Sequence, residues 1–289
     1  RTVYPIPLAE AASFNLELME RTAAAAAKEA ASEGIHWTFA PMVDVTRDAR
    51  WGRVMEGAGE DTWYGSRVAE ARVRGFQGKS LADTATVLAC AKHFAAYGAC
   101  IGGRDYNTVD ISRLTLHEVY LPPFRAAAEA GVATFMNAFN EVEGVPATGN
   151  THLVREVLKG DWNFNGFVVS DWNSVGEMVN HGLVPDLKGA AYKGVTAGCD
   201  MDMESRAYTS HLEELVKEGT VDEAYIDDAV RRILLKKFEL GLFDDPFRYC
   251  NEQRQQKTVL SPELRQVARE AGAESIVLLK NDNGVLPLK

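Results

Sequence analysis

Short apolar runs alternate with helical stretches along most of this chain, and this alternation limits its fold more than any other feature. The apolar runs occupy residues 36–40, 86–91, 132–136, 166–169 and 199–203, with helical patterns between them. The runs are mostly apolar throughout rather than at every second position, which is typical of strands covered on both faces. The sequence therefore predicts βαβ units and an α/β fold with a parallel sheet, either a barrel or a doubly wound sheet.

Polar side chains follow these predicted strands at their carboxyl ends. Asp44 comes after the first run, Lys92 and His93 after the second, Asn137 after the third and Asp171 after the fourth. A (β/α)8 barrel assembles its active site from the carboxyl ends of several strands. The sequence thus predicts a TIM-barrel-like catalytic domain. A dinucleotide-binding sheet is less well supported, because no Gly-x-Gly-x-x-Gly motif follows a strand.

The pattern changes after residue 240, which predicts a domain boundary. We assign residues 1–240 to the barrel-like catalytic domain, whose completeness at the N-terminus the sequence leaves open. Residues 241–261 are turn-rich and polar, and they are predicted to be a linker. Residues 262–289 are predicted to be the opening helix and strand of a second α/β domain, because Ser261 and Pro262 are typical of a helix start.

The composition excludes some classes of binding partner. The formal net charge is −10, and an acidic chain lacks the clustered Lys and Arg that phosphate backbones require, so we expect no nucleic acid partner. No apolar run approaches the roughly 20 residues that span a bilayer, so we expect no membrane insertion. The chain starts without a recognisable leader, so any targeting segment is expected to lie outside it. The oligomeric state stays open, a homo-oligomer included.

The four cysteines show neither a Cys-x-x-Cys spacing nor a nearby histidine cluster. We expect Cys90 and Cys199 to be small buried apolar residues, with a Cys90–Cys100 bridge as the less favoured alternative. Metal-binding clusters and phosphate-binding loops do not occur in the sequence either. The sequence therefore predicts neither a metal nor a cofactor.

Three motifs carry a resemblance to a known family. They are RDARWGR at 47–53, KHF at 92–94 and GFVVSDW at 166–172, in this order. They resemble the signatures of glycoside hydrolase family 3, and the similarity extends over nearly the whole chain. The most similar branch is that of the bacterial β-glucosidases of the periplasmic type. The resemblance implies a retaining exo-acting β-glucosidase, a β-glucoside or oligosaccharide substrate, and a periplasmic or secreted location.

The resemblance also implies roles for five side chains. Asp171 is implied to be the nucleophile that forms a covalent glycosyl intermediate. Arg53, Lys92 and His93 are implied to bind sugar hydroxyls, and Trp172 offers a face on which a sugar ring stacks. Considered alone, Asp171 is better explained as a helix cap, and Lys92 with His93 as a salt-bridged lysine beside a satisfied core histidine.

Other polar residues near these motifs receive no catalytic role. Arg50 is expected to shape its loop through salt bridges, and Asp44 and Asp202 are expected to be structural. One position departs from the family pattern. Phe139 stands where family members often carry a tyrosine, so no hydroxyl is available there to orient the nucleophile.

No general acid is identified in the chain. Single-domain relatives carry a histidine in the loop that here spans 107–112, and serine stands at that position. The resemblance therefore implies an acid/base Glu from a second domain beyond Lys289, and a sugar-binding aspartate upstream of Arg1. The nearest alternative function is that of a β-xylosidase. A Schiff-base barrel lyase that uses Lys92, and a non-catalytic sugar-binding protein, are more distant alternatives.

Overall fold

The computed structural model of the chain describes residues 1–288, and in it the predicted strands lie side by side in one parallel sheet. The strands are β1 (Cys90–Phe94), β2 (Thr134–Asn137), β3 (Glu141–Val142), β4 (Val145–Pro146) and β5 (Phe167–Val169). The centre of the sheet has the order β1-β2-β5, and β3 and β4 form a separate antiparallel pair. Parallel bridges from Trp37 to Leu88 and from Val169 to Met201 extend the sheet on both sides. The predicted α/β fold with a parallel sheet is confirmed.

Helices precede and follow the strands, as the alternation predicted. Their bounds are α1 (Pro7–Ala11), α2 (Leu16–Ser32), α3 (Thr62–Gln77), α4 (Arg113–Thr115), α5 (Pro122–Glu129), α6 (Ser174–Asn180), α7 (Leu187–Ala197), α8 (Ala207–Lys217), α9 (Glu223–Glu239), α10 (Glu252–Thr258) and α11 (Pro262–Glu274). Leu116–Tyr120 and His152–Asp161 are π-helical. Side chains cap several helix starts; the Asp61 carboxylate, for example, accepts from the Tyr64 amide at 2.6 Å.

Aromatic side chains cover both faces of the sheet, which explains why the strands are apolar throughout. On one face the Phe94 ring lies 5.6 Å from Phe135 of β2 and 5.3 Å from Phe124 of α5. On the other face the Trp37 ring lies 5.1 Å from Phe167, and its Nε1 donates to the Thr134 hydroxyl at 2.9 Å. A sheet buried in this way has little tolerance for polar side chains except at the strand ends.

Helices α2 and α3 pack in unusually close contact at Gly75. A Cβ atom at this position would lie 2.4 Å from the backbone carbonyl oxygen of Glu20 and 2.6 Å from the Cβ of Ala23. Such distances are far inside van der Waals contact. Only glycine therefore allows the two helix backbones to approach this closely.

The segment 241–261, predicted to be an irregular linker, contains a helix and packs against the rest of the chain. Asn251 caps α10 by accepting from the Arg254 amide at 2.8 Å, and the Arg254 guanidinium donates to the Tyr249 carbonyl at 2.6 Å. The Tyr249 side chain is fully buried. The helix was not predicted because the cap and the arginine, rather than an apolar stripe, hold it.

The C-terminal residues match the prediction in part. Helix α11 begins at Pro262, and the Ser261 hydroxyl accepts from the Leu264 amide at 3.3 Å, as expected. The strand predicted within residues 262–289 corresponds to the apolar run 276–280, and it is not formed. This run has no ladder partner within residues 1–288, and its Leu279 is 92% exposed. The division into two domains and a linker stays a prediction.

All four cysteines are free thiols. Cys90 and Cys199 are fully buried, as predicted, and no Cys90–Cys100 bridge is present. Burial raises the pKa of each of these two thiols to about 12, so both stay protonated at neutral pH.

Candidate active site

Asp171 lies immediately beyond the carboxyl end of β5, on a tightly bonded loop. Its carboxylate Oδ1 accepts a 2.6 Å hydrogen bond from the Trp172 backbone amide. The preceding Ser170 ties this loop to the neighbouring strand segment, because its amide donates to the Met201 carbonyl and its hydroxyl accepts from the Met203 amide, both at 2.8 Å. The Asp171 side chain is 14% exposed. The carboxylate is therefore fixed in orientation yet open to solvent on one side.

His93 stands between two carboxylates. Its Nε2 lies 3.6 Å from Asp171 Oδ2, and its Nδ1 lies 3.0 Å from Asp44 Oδ2. The same Asp44 oxygen also accepts from the His93 backbone amide at 2.9 Å. The His93 and Asp44 side chains have no exposed surface. Asp44 thus fixes the ring orientation and directs Nε2 toward Asp171.

Asp44 was expected to be structural, and the structure instead gives it a direct contact with a predicted site residue. The sequence did hold one signal for this, since Asp44 follows the first strand in the same way that Lys92 and Asp171 follow theirs. That signal did not identify the partner. Forty-nine positions separate Asp44 from His93.

Arg53 is held beside this group by Glu56. The guanidinium makes a two-point contact with the carboxylate, at 2.6 Å from Nε and 2.9 Å from Nη2, and lies over the Tyr97 ring at 5.7 Å. Burial opposes the charge on Arg53, but the Glu56 carboxylate raises its pKa above the ordinary value. The hydrogen bond from Arg53 lowers the pKa of Glu56, and the charges of Lys92 and His93 lower it further. The predicted site residues therefore lie within electrostatic reach of one another.

Lys92 and Trp172 are available for ligand contacts. Lys92 is half-buried in the middle of β1 and has no carboxylate within 4 Å in the described part of the chain. The residues that the structure describes therefore give Lys92 no salt bridge. Trp172 directly follows Asp171 and is 61% exposed.

A row of ring side chains, the aromatic wall, extends from His93 through Tyr97 to Phe139. The Tyr97 ring lies 5.1 Å from the His93 ring, and Phe139 lies 5.8 Å from Tyr97. Phe139 has no hydroxyl, as noted from the sequence, whereas Tyr97 carries one in the interior of this wall. Burial, followed by the neighbouring Asp105 carboxylate, raises the pKa of Tyr97, so its hydroxyl stays protonated at neutral pH. Tyr97 was not predicted from the sequence, because no motif marks it.

The residues that were given no catalytic role have structural contacts. Arg50 pairs with Asp48 on the surface, at 2.6 Å. The Asp202 carboxylate accepts from the Ser205 hydroxyl at 2.7 Å and from the Tyr208 amide at 3.2 Å, so it organises the start of α8. The structural roles predicted for Arg50 and Asp202 agree with these contacts.

The profile described as "Glycosyl hydrolase family 3 N terminal domain" matches residues 1–235 of the chain. The chain belongs to glycosyl hydrolase family 3. Among its relatives in this family, the periplasmic beta-glucosidase of Salmonella typhimurium is 44% identical over 292 residues, which cover 100% of this chain and 38% of that protein. A putative beta-xylosidase of Formosa agariphila is 38% identical, with coverage of 98% and 38%.

Solved structures of family 3 members are also similar. The crystal structure of a beta-glucosidase from Listeria innocua superposes with a TM-score of 0.98 at 45% identity, over 100% of this chain and 40% of that one. An exo-1,3/1,4-beta-glucanase from a Pseudoalteromonas species gives a TM-score of 0.88 at 35% identity, with coverage of 100% and 36%. The chain thus spans about two fifths of the length of these relatives.

Two further findings concern ligands and membranes. Across residues 1–288, no three side chains of the metal-ligating types are grouped closely enough to hold a metal ion. Over the same residues, every helix is too short or too polar to cross a bilayer. The lyase alternative receives no support from the family match, whose described activity is glycosyl hydrolysis.

Proposed function

We propose that the protein is a retaining exo-acting β-glucosidase, and that this chain supplies its nucleophile, Asp171. One observation carries the proposal: the Asp171 carboxylate lies at the carboxyl end of β5, held by the Trp172 amide at 2.6 Å, with His93 Nε2 3.6 Å from its other oxygen. His93 is also one of the proposed sugar-binding residues, and Trp172, another candidate, directly follows Asp171 in the chain. Support also comes from the relatives, of which one is named a periplasmic beta-glucosidase and another was crystallised with laminaribiose.

The proposed reaction has two steps. Asp171 Oδ2 attacks the anomeric carbon as the bond to the leaving oxygen breaks, and an acid protonates that oxygen. A water molecule, deprotonated by the same group, then displaces Asp171 and releases β-glucose with retained configuration. We propose that this acid/base is a glutamate outside the 289 residues. The Trp172 amide holds Oδ1, so the reacting oxygen keeps a fixed direction toward the sugar.

Arg53, Lys92 and His93 are proposed to bind the hydroxyls of the terminal sugar. Among residues 1–288, no carboxylate lies within 4 Å of the Lys92 ammonium group. Arg53 is oriented by its two hydrogen bonds to the Glu56 carboxylate. Charge develops on the sugar ring in the oxocarbenium-like transition state, so hydrogen bonds to its hydroxyls strengthen there and contribute to rate. Trp172 is proposed to stack on the substrate.

A β-xylosidase is the second candidate, because two relatives of this chain, 38% and 39% identical, carry that name. The two substrates differ by the hydroxymethyl group of glucose. A panel of 4-nitrophenyl glycosides on the full-length protein tests both candidates. We expect kcat/KM for the β-glucoside to exceed that for the β-xyloside; the reverse order would assign the xylosidase function, and no activity on either would refute the glycosidase proposal.

Three further proposals concern the barrel fold, the division into domains and the location of the protein. The parallel sheet is proposed to be part of a TIM-type (β/α)8 barrel, with residues 1–240 as the catalytic domain, 241–261 as a connecting segment and 262–289 as the start of a second domain. The location is proposed to be periplasmic or secreted, as in the Salmonella relative. Fractionation of the native host cells tests the location, and a purely cytoplasmic protein would contradict it.

A further inference from the structure

A cavity opens at helix α6, and the mechanism above does not use it. It has a volume of about 280 Å³, and Tyr106, Glu177, Asn180 and His181 line it. Pockets for small ligands span roughly 300–1,000 Å³, so this cavity lies near the lower end of that range. Its size suits a single ring rather than an extended chain.

The Glu141 carboxylate connects the elements that surround this cavity. Glu141 follows β2, and its two oxygens accept from the His181 ring at 2.8 Å and from the Thr108 hydroxyl at 3.2 Å. The Glu141 carbonyl also accepts from the Val109 amide at 3.0 Å. The loop after β1, the loop after β2 and helix α6 are thereby fixed to one another. The cavity is preformed by these bonds.

The aromatic wall connects the cavity to the site of reaction. The Tyr106 ring lies 4.7 Å from Phe139, which leads through Tyr97 to His93. Tyr106 itself is 52% exposed, so its ring offers an open face at the cavity mouth. The wall thus runs without interruption from the ring that contacts Asp171 to the cavity.

Glu177 lies within electrostatic reach of the nucleophile. Helix α6 begins three residues after Asp171, and Glu177 is in its first turn. Burial raises the pKa of Glu177, His181 opposes this shift, and the negative charge of Asp171 adds to it. The groups proposed to bind the terminal sugar come from β1 and from the Arg53 loop. The α6 side of Asp171 is therefore left for the part of the substrate beyond the scissile bond.

We propose that Tyr106, Glu177, Asn180 and His181 form the leaving-group subsite, and that it accepts a pyranose ring in preference to an apolar aglycone. The inference rests on the proposed glycosidase function. A sugar ring stacks on the exposed tyrosine face, and its hydroxyls satisfy the carboxylate, amide and imidazole. An apolar group would remove water from these polar groups without replacing its hydrogen bonds.

Comparison of leaving groups isolates this subsite. All β-glucosides give the same glucosyl–Asp171 intermediate, so differences in kcat/KM between them arise before or during departure of the leaving group. We would measure, on the full-length protein, a β-linked glucose disaccharide, n-octyl β-D-glucoside and β-D-glucosyl fluoride. Fluoride is too small to contact the cavity walls. The variants are Tyr106→Ala, Tyr106→Phe and Glu177→Gln, with Glu213→Gln on the surface of α8 as the matched control.

We expect Tyr106→Ala and Glu177→Gln to lower kcat/KM for the disaccharide about tenfold more than for the fluoride, as expected for loss of one contact to a charged or stacking group. Tyr106→Phe should retain most of the activity because it retains the ring, and Glu213→Gln should match the wild type. Equal losses on the disaccharide and the fluoride, or no loss on either, would overturn the subsite. Equal losses on the disaccharide and the octyl glucoside would overturn its preference for sugars.

The wild-type protein separates this inference from the function on which it rests. If it turns over the fluoride, the glycosidase proposal stands whatever the variants show. If it turns over none of the three substrates, the proposed function fails, and the subsite fails with it. Thermal unfolding of each variant, with a midpoint near that of the wild type, excludes misfolding as the cause of a loss.

Discussion

Replacement of Asp44 by asparagine should slow catalysis although Asp44 has no proposed contact with the substrate. Asp44 Oδ2 lies 3.0 Å from His93 Nδ1 and 2.9 Å from the His93 amide, and both side chains are fully buried. Asparagine has nearly the same shape but no charge, so its oxygen, in the place of Oδ2, accepts a weaker hydrogen bond from Nδ1. Asp44→Asn therefore weakens the hydrogen bond that orients the His93 ring and leaves the packing almost unchanged.

The expected loss follows from the hydrogen bond that is weakened. A hydrogen bond to a charged group contributes about 1.5–3 kcal/mol. A neutral hydrogen bond still contributes about 0.5–1.5 kcal/mol, so the substitution removes roughly 1–1.5 kcal/mol. Since 1.36 kcal/mol corresponds to a tenfold change in rate, kcat/KM should fall about 5- to 13-fold. The amide of His93 can still donate to the asparagine oxygen, so the fold should persist. Asp44→Ala would also leave buried donors unsatisfied, and it should cost more stability.

The assay is kcat/KM for 4-nitrophenyl β-D-glucoside, together with the thermal unfolding midpoint. Asp202→Asn is the matched control, because within residues 1–288 the Asp202 carboxylate bonds only to Ser205 and Tyr208, near the start of α8. It should lower stability with kcat/KM within about threefold of the wild type, as expected for loss of a cap. An Asp44→Asn enzyme that folds and retains wild-type kcat/KM would refute the positioning role.

Three other predictions follow from separate parts of the structure. Lys92→Ala should lower kcat/KM about tenfold or more and weaken inhibition by glucose, because a charged hydrogen bond is lost; unchanged values would make Lys92 structural. Gly75→Ala should destabilise the protein by about 1–3 kcal/mol in urea unfolding, since its Cβ would lie 2.4 Å from a carbonyl oxygen, whereas Gly272→Ala in α11 meets nothing within 4 Å and should be neutral or stabilising. The pKa of Glu56 is lowered by Arg53, so its stabilising effect is present above the unfolded-state pKa of about 4.5 and is lost as pH falls through the folded-state pKa. The difference in unfolding midpoint between wild type and Glu56→Gln should therefore shrink below that pH, and a constant difference would contradict the assignment.

The sequence predicted the parallel sheet because continuous apolar runs between helices are compatible with few other structures. The second run shows the limit of this reasoning. It was predicted at 86–91, whereas β1 spans Cys90–Phe94 and contains both Lys92 and His93. A ladder extends as far as its neighbour allows, and β2 pairs with β1 up to Phe94. A strand whose last residues are polar is therefore predicted too short when apolar character alone is used.

The site was only partly predictable for a related reason. Lys92 and His93 lie within the last three residues of β1, Asp171 lies just beyond β5, and the parallel sheet brings the carboxyl ends of these strands together. Asp44 has the same position, but its bond to His93 depends on side-chain geometry that spacing does not contain. Glu177 gave no signal either, because an acidic residue in the first turn of a helix is common. Residues 276–280 are the opposite case: the run is apolar, but it has no strand partner among residues 1–288 and forms no strand.

Covalent trapping tests the central claim most directly. A 2-deoxy-2-fluoro-β-D-glucoside with an activated leaving group forms the glycosyl intermediate and hydrolyses slowly, because fluorine disfavours the oxocarbenium-like transition state. We expect mass spectrometry of the digested full-length protein to find one 2-fluoroglucosyl group on the peptide that contains Asp171, and none in Asp171→Asn. A label on another carboxylate, or an inactivated enzyme without any label, would contradict the assignment of Asp171 as the nucleophile.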